Sequence, residues 1–110
     1  MEISFASSRL RKTCESKKEL QRLHGTACAK KAMARLLDLA AAPALEEFRR
    51  LPGRCHELDG DRKGQLALEL ADGKRLIFEP ANNPAPVREG GGLDWTQVDA
   101  VLIVEIIDYH

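Results

Sequence analysis

The run Val101 to Ile107 constrains this chain most. Apart from Glu105 it is apolar on both faces, as a central strand of a sheet should be. The chain must therefore build a sheet around this segment. Directly after it come Asp108, Tyr109 and His110, three residues that handle protons or orient a phosphate. Chain ends are normally frayed and chemically bland. A charged and aromatic tip after what reads as a buried strand is the best functional clue in the sequence, together with the loop Gly60-Asp61-Arg62-Lys63-Gly64-Gln65.

The rest of the pattern supplies the partners of that strand. Glu2 to Phe5 alternates, with Ile3 and Phe5 on one side, and predicts a short first strand. Ser8 to Leu51 reads as helical. Ser16-Lys17-Lys18-Glu19 has capping-box form, Gly25 breaks the helix, and Thr26 is placed to cap the next one. Ala32, Leu36, Leu39 and Ala40 recur at helical spacing. Met33 and Leu37 widen that stripe, and all six are expected in the core. Pro43 opens a short helix, Ala44 to Arg50, and Pro52-Gly53 closes the helical half.

Strand patterns follow. Cys55 to Leu58 is short, and Asp59 to Gly64 is rich in turn residues. Gln65 to Leu70 sets Leu66, Leu68 and Leu70 on one face. Asp72-Gly73 is a two-residue hairpin signal. Lys74 to Glu79 returns with Leu76 and Phe78 on one face and Arg75 and Ile77 on the other. Pro80 to Gly92, with its prolines and triple glycine, reads as a long flexible loop, and Asp94 caps a turn of helix over Trp95 to Val98. There is no internal repeat and no linker. Residues 1–110 are expected to form one α+β domain, a small antiparallel-rich sheet packed against N-terminal helices. For both ends of the chain to share the sheet, Ile3 to Phe5 must pair with another strand across the helical insertion.

Composition excludes several classes. A chain of 110 residues suits one compact core. No apolar stretch approaches the roughly 20 residues of a membrane helix, and Met-Glu-Ile-Ser-Phe has no basic leader, so a cytoplasmic protein without membrane contact is expected. Cys14, Cys28 and Cys55 are odd in number and unpaired in spacing, which fits a reducing compartment. His24 and Cys28 share a helical spacing but lack a second pair of ligands, so no metal is expected. Asp59-x-Asp61-x-Lys63 fails as a calcium loop, because Lys63 and Leu70 stand where oxygen ligands are needed. Gly90 to Gly92 lacks the Lys-Ser/Thr pair of a phosphate loop. Cys55 and His56 would point to opposite faces of a strand, so they make no thiolate-imidazole pair. Formal net charge is zero but unevenly spread: through Arg35 there are nine Lys and Arg residues against Glu2, Glu15 and Glu19. Such a basic half is a solvated helical face or a surface for phosphate or an acidic partner.

His110, Tyr109, Asp108, Lys63, Arg62, Arg75, Arg54 and His56 all fall at or near strand ends. Metal-free RNA cleavage needs a base for the 2′-hydroxyl, an acid for the leaving 5′-oxygen and cations for the extra charge of the transition state. A histidine can take either proton role near neutral pH. Lys63 and Arg75 supply fixed charge, and Tyr109 can stack on a base or donate a proton. Asp108 and the terminal carboxylate favour the imidazolium of His110. Taken singly, each has a structural explanation: a frayed end, an edge aromatic, an ion pair, a soluble loop. Only convergence makes a site, and regular alternation sets Asp108 and His110 on one face with Tyr109 opposed.

The run Leu51-Pro-Gly-Arg-Cys-His-Glu-Leu-Asp-Gly-Asp-Arg-Lys-Gly-Gln-Leu66, the strand Lys74-Arg-Leu-Ile-Phe-Glu-Pro80 and the ending Val104-Glu-Ile-Ile-Asp-Tyr-His110 resemble the RelE/ParE superfamily of bacterial toxins, and most of all its HigB-type branch, the plasmid-maintenance killer proteins. The resemblance implies the RelE-like fold and a type II toxin that cuts messenger RNA on the translating ribosome without metal or cofactor, held in check by a cognate antitoxin. It places the closing Asp-Tyr-His on Asp108, Tyr109 and His110, the basic loop residue on Lys63 and the phosphate-gripping arginine on Arg75, with Arg54, His56 and Arg62 as RNA contacts. The long loop before Trp95 and the acidic sheet half depart from that pattern. Relatives that poison DNA gyrase share the fold without the ribonuclease site, so a gyrase-binding toxin or a catalytically silent binding module are the alternatives.

Overall fold

β5, Ala100–Asp108, lies between two other strands, as its sequence demands. The structure is a computed structural model and describes residues 1–108; Tyr109 and His110 lie outside the described residues. In chain order the elements are β1 (Glu2–Phe5), α1 (Ser8–Cys14), α2 (Lys17–His24), α3 (Thr26–Ala41), β2 (His56–Glu57), β3 (Leu66–Glu69), β4 (Lys74–Pro80) and β5. Single 3₁₀ turns cover Leu45–Arg49, Gly60–Arg62 and Trp95–Gln97. The sheet order is β1-β5-β4-β3-β2. β1 pairs in parallel with β5, Ile3 beside Val101 and Phe5 beside Ile103, and the other pairings are antiparallel. A parallel pair needs a crossover, and the helical half is part of it.

One sheet face carries the main core. Leu66, Leu68, Leu76, Phe78, Val101 and Ile103 pack there with Leu39 of α3 and with Leu45, Phe48, Trp95 and Val98. Each fully buried side chain of this size contributes about 1.5–3 kcal/mol. On the other face, among the described residues, Leu58, Ala67 and Ile77 form a smaller cluster edged by Val104 and Ile107, with no helix packed over it. The register of β4 against β5 shifts at Ile77/Phe78: Phe78 faces Ile103 and Ile77 faces Glu105, which leaves Val104 as an extra residue in β5. This bulge turns the last residues of β5 over, so that Ile106 joins the helix-side core while Ile107 lies on the open face.

The local signals act as the residues dictate. Ser16 Oγ accepts from the Glu19 amide at 3.1 Å and caps α2. The Glu19 carboxylate turns to Arg22 at 2.8 Å, so the box is only half closed. Gly25, at φ 86°, caps α3, and Thr26 is its first helical residue and not its cap. Asp72 and Gly73 both have positive φ, 59° and 75°, as a primed hairpin turn requires. The strand expected over Cys55 to Leu58 shrinks to His56–Glu57. The segment after Pro80 is not a plain loop: Val87 bridges Leu93, and the Asp94 amide donates to Pro86 O at 2.9 Å.

α3 corrects one expectation. Its inner face is Cys28, Ala29, Ala32, Arg35 and Leu39, all buried. Ala29 and Ala32 meet Leu20 of α2, where small side chains let the helices approach. Leu37 lies about half a helical turn from Arg35 and Leu39. It is 69% exposed, Ala40 is exposed too, and Met33 is only half-buried. The apolar stripe is wider than the core beneath it.

Candidate nucleic-acid interface

Strand alternation decides which charged residues meet. Arg75 lies two positions from Ile77 on β4 and opposes Glu69 on β3 and Ile107 on β5, so it stands on the open, helix-free face. His56 opposes Ala67 and shares that face. Arg54, at φ 48°, sets its Nη1 3.4 Å from Glu69 Oε1, and its carbonyl lies 2.7 Å from His56 Nδ1. Arg62 reaches across from the 3₁₀ turn, with Nη2 3.0 Å from Glu105 Oε2 and Nη1 2.8 Å from Gln65 Oε1. The four residues Arg54, His56, Arg62 and Arg75 are thus brought to one surface. Glu69 and Glu105 fix two of the guanidinium groups, and all of these side chains retain exposure. Such a face can hold phosphate oxygens and keep their register.

The other expected site residues fall elsewhere. Asp108 does not share the face of Arg75. It opposes Lys74, whose Nζ lies 3.3 Å from His24 Nδ1 on α2, on the helix side of the sheet. The bulge at Val104 causes this, since strict alternation from Val101 would have set Asp108 on the open face. Lys63 follows the Gly60–Arg62 turn at the opposite end of β4. There it lines a groove of about 450 Å³ with Glu57, Asp59, Leu66, Glu79 and Pro80. At about 3.4 Å per residue, the Glu79 row lies roughly 14 Å from Arg75 and roughly 17 Å from the Lys74–Asp108 pair. Lys63 and Asp108 therefore do not meet at one phosphodiester. Tyr109 and His110 lie outside the described residues.

Sequence pattern does not mark Lys74 and His24 as a contacting pair. Lys74 is the first residue after the Asp-Gly turn, a position the sequence does signal, but its facing partner depends on the bulge. Burial and the Lys74 ammonium both press the His24 pKa below 6.5. Burial also raises the neighbouring Cys28 thiol, an effect that Lys74 partly offsets. Among the described residues no group of His, Cys, Asp and Glu is arranged to hold a metal ion. Nor, among the described residues, is any helix long and apolar enough to cross a membrane.

Solved structures share this arrangement over its whole length. A YoeB/ParE toxin from Agrobacterium tumefaciens superposes with a TM-score of 0.55 at 12% identity, and the match covers all of both chains. The fold is YoeB/ParE-like. A YoeB-YefM complex from Staphylococcus aureus gives 0.55 at 15% identity, covering all of this chain and 97% of that one. Neither a protein-family model nor a curated protein matches the sequence. The YoeB/ParE-like fold is thus preserved under a nearly unrelated sequence. The α+β class and the small sheet with N-terminal helices stand as expected.

Proposed function

We propose that this protein is the toxin of a type II toxin–antitoxin pair, of HigB type, and that it cleaves messenger RNA on the ribosome by metal-independent acid–base chemistry. The observation that carries this reading is the β4–β5 register, which sets the end of β5 beside Lys74 and Arg75 at the rim of a face bearing Arg54, His56 and Arg62. A YoeB/ParE-like fold supports it, and the partner in the YoeB-YefM complex supports an antitoxin here.

In this mechanism a base removes the 2′-hydroxyl proton and that oxygen attacks phosphorus. The bond from phosphorus to the 5′-oxygen breaks, and an acid protonates the leaving oxygen. Arg75 grips the scissile phosphate with two N–H groups. His110 is the acid or base, Asp108 orients it, and Tyr109 stacks on a base or donates a proton. Arg54, His56 and Arg62 hold the strand across the open face. Lys63, at the far end of β4, contacts a neighbouring stretch of backbone and not the reacting phosphate.

The test is a ribosome-programmed translation reaction with primer extension on the message. Cuts within codons that vanish in His110→Ala, or on deletion of the last three residues, are expected. Cleavage that survives that deletion removes the assignment. Growth arrest with intact RNA would favour a gyrase-binding toxin.

A further inference from the structure

A hollow of about 440 Å³ opens between the Leu45–Arg49 turn, the segment from Leu51 to Cys55 and Trp95. Its floor is apolar, built from Phe48, Leu51, Pro52, Cys55 and the Trp95 ring. Two guanidinium groups, Arg49 and Arg54, line it, and among the described residues no carboxylate does. Arg49 lies over Trp95, its Cζ 4.3 Å from the ring centre. Its Nε donates to Glu46 Oε1 at 2.8 Å. These contacts hold the guanidinium by one face and one edge, and the side chain is still 54% exposed. Its outer face stays open. Trp95 is fixed in turn, since its Nε1 donates to Glu57 Oε2 at 3.1 Å. Arg54 belongs both to this hollow and to the open face of the sheet, where Glu69 holds its Nη1 at 3.4 Å. Among the described residues its Nε and Nη2 carry no hydrogen bond.

We infer that this hollow is a nucleotide subsite, in which one base of a single-stranded RNA stacks on the outer face of Arg49 while Arg54 holds its phosphate. Unstacked RNA bases are recognised on aromatic rings and on guanidinium planes. With Trp95 beneath it, Arg49 is such a plane set in place before the ligand arrives. The apolar floor suits the flat base, and the unused N–H groups of Arg54 suit the phosphate oxygens. Arg54 also joins the hollow to the face that carries His56, Arg62 and Arg75. A strand lying along that face therefore reaches the hollow by way of Arg54. An acidic peptide fits less well, because Glu46 and Glu69 of the chain itself already take guanidinium edges that a carboxylate would need. RNA as the occupant rests on the proposed function, whereas the stacking platform does not.

The test is binding of a short oligoadenylate to the full chain without ribosomes, followed by the indole N–H resonance of Trp95, the sole tryptophan. The oligonucleotide should shift that resonance. A series that removes one base at a time and keeps the backbone should contain one position whose loss abolishes the shift. Arg49→Leu should lower affinity about tenfold, as loss of one stacked base does. Arg49→Lys keeps the charge but lacks the plane, and should recover little of that loss. Thermal melting checks that both variants stay folded. The base-removal series uses the parent chain, so it decides the matter even if they do not. No shift, or a shift indifferent to every missing base, overturns the inference. Full recovery in Arg49→Lys does so as well, because charge alone would then explain binding. A shift that adenosine monophosphate produces with equal affinity would assign the hollow to a free nucleotide, and displacement of the oligonucleotide by a glutamate-rich peptide would assign it to a protein; either overturns the inference equally. Message cleavage is scored separately. A silent hollow with intact cleavage removes the subsite alone, and a base-dependent shift without cleavage removes the ribonuclease reading alone.

Discussion

Lys74 Nζ lies 3.3 Å from His24 Nδ1, tying the hairpin end of the sheet to α2. An ammonium only donates, so this ring nitrogen must be unprotonated to accept. Protonating it would set two cations face to face.

The pH dependence follows from that contact. Burial, then Lys74, lowers the folded pKa of His24 below the 6.5 of the free side chain. Above pH 6.5 both folded and unfolded chains carry a neutral ring, and the stability it supports is fully present. As pH falls below 6.5 the unfolded ring takes a proton first, so stability is lost until the folded pKa is passed. Urea midpoints at pH 7.5 and 5.5 should therefore fall further for the parent than for His24→Gln. Lys74→Met should raise the His24 pKa in a proton-resonance titration. Equal midpoint losses in parent and variant would contradict the contact.

Gly53 is the position where glycine is obligatory. Its φ is 111°, and a Cβ there would lie 2.7 Å from Arg35 Nε and 2.9 Å from Leu68 Cδ2. Its carbonyl accepts from the Glu69 amide at 2.7 Å, and Arg35 Nε donates to Glu69 O at 3.3 Å. Gly53→Ala strains the backbone and displaces a buried arginine together, and should cost at least about 1–3 kcal/mol in denaturant unfolding. The loss should also loosen the Glu69–Arg54 pair on the open face. A change under about 0.5 kcal/mol would show that the close approach is relieved without cost.

The three thiols should be inert in the native state. Burial, with Glu15, raises Cys14 to about 11. Burial, with Glu57, raises Cys55 to about 12, although Arg49 works the other way. Burial dominates at Cys28 as well. Thiolates are the reacting species, so alkylation at pH 8 should be slow in buffer and rapid in urea. The sign for stability is the reverse of the histidine case. Below pH 9.0, the ordinary thiol value, stability is intact. Above it the unfolded thiols ionise first and stability declines. Rapid native labelling of Cys55 would mean that the segment leading into β2 opens readily.

Much of this fold is legible in the sequence because local rules agree with global ones. Leu66 and Leu68, Leu76 and Phe78 alternate into one core, Asp72-Gly73 forms the turn between them, and Ser16 starts α2. The apolar run of β5 sits inside the sheet as it must. The site is less legible because it depends on pairings between distant segments. A single unpaired residue, Val104, exchanges the faces of everything after it. That exchange separates Asp108 from Arg75 and gives it Lys74 as a neighbour, and no periodicity announces a bulge. Leu37 shows the converse limit: helical spacing marks an apolar stripe but not how much of it the core can cover.

Arg75 and Lys63 should prove unequal in the proposed reaction. Both are cations that the family resemblance places near a phosphate, but they lie at opposite ends of β4. Arg75 lies one residue from the position facing Asp108. In the proposed reaction it grips the scissile phosphate, and its planar guanidinium engages two oxygens where an ammonium engages one. Arg75→Ala should reduce single-turnover cleavage on the ribosome by about 10²–10³-fold, as loss of a preorganised charge-stabilising donor does. Arg75→Lys should recover only part of that loss. Lys63→Ala should act mainly on binding, weakening ribosome affinity and lowering its salt dependence by about one phosphate contact while single-turnover cleavage at saturation stays nearly constant. A Lys63→Ala variant as crippled in the chemical step as Arg75→Ala would mean that both ends of β4 serve one phosphodiester, which the strand geometry forbids without a rearrangement on the ribosome.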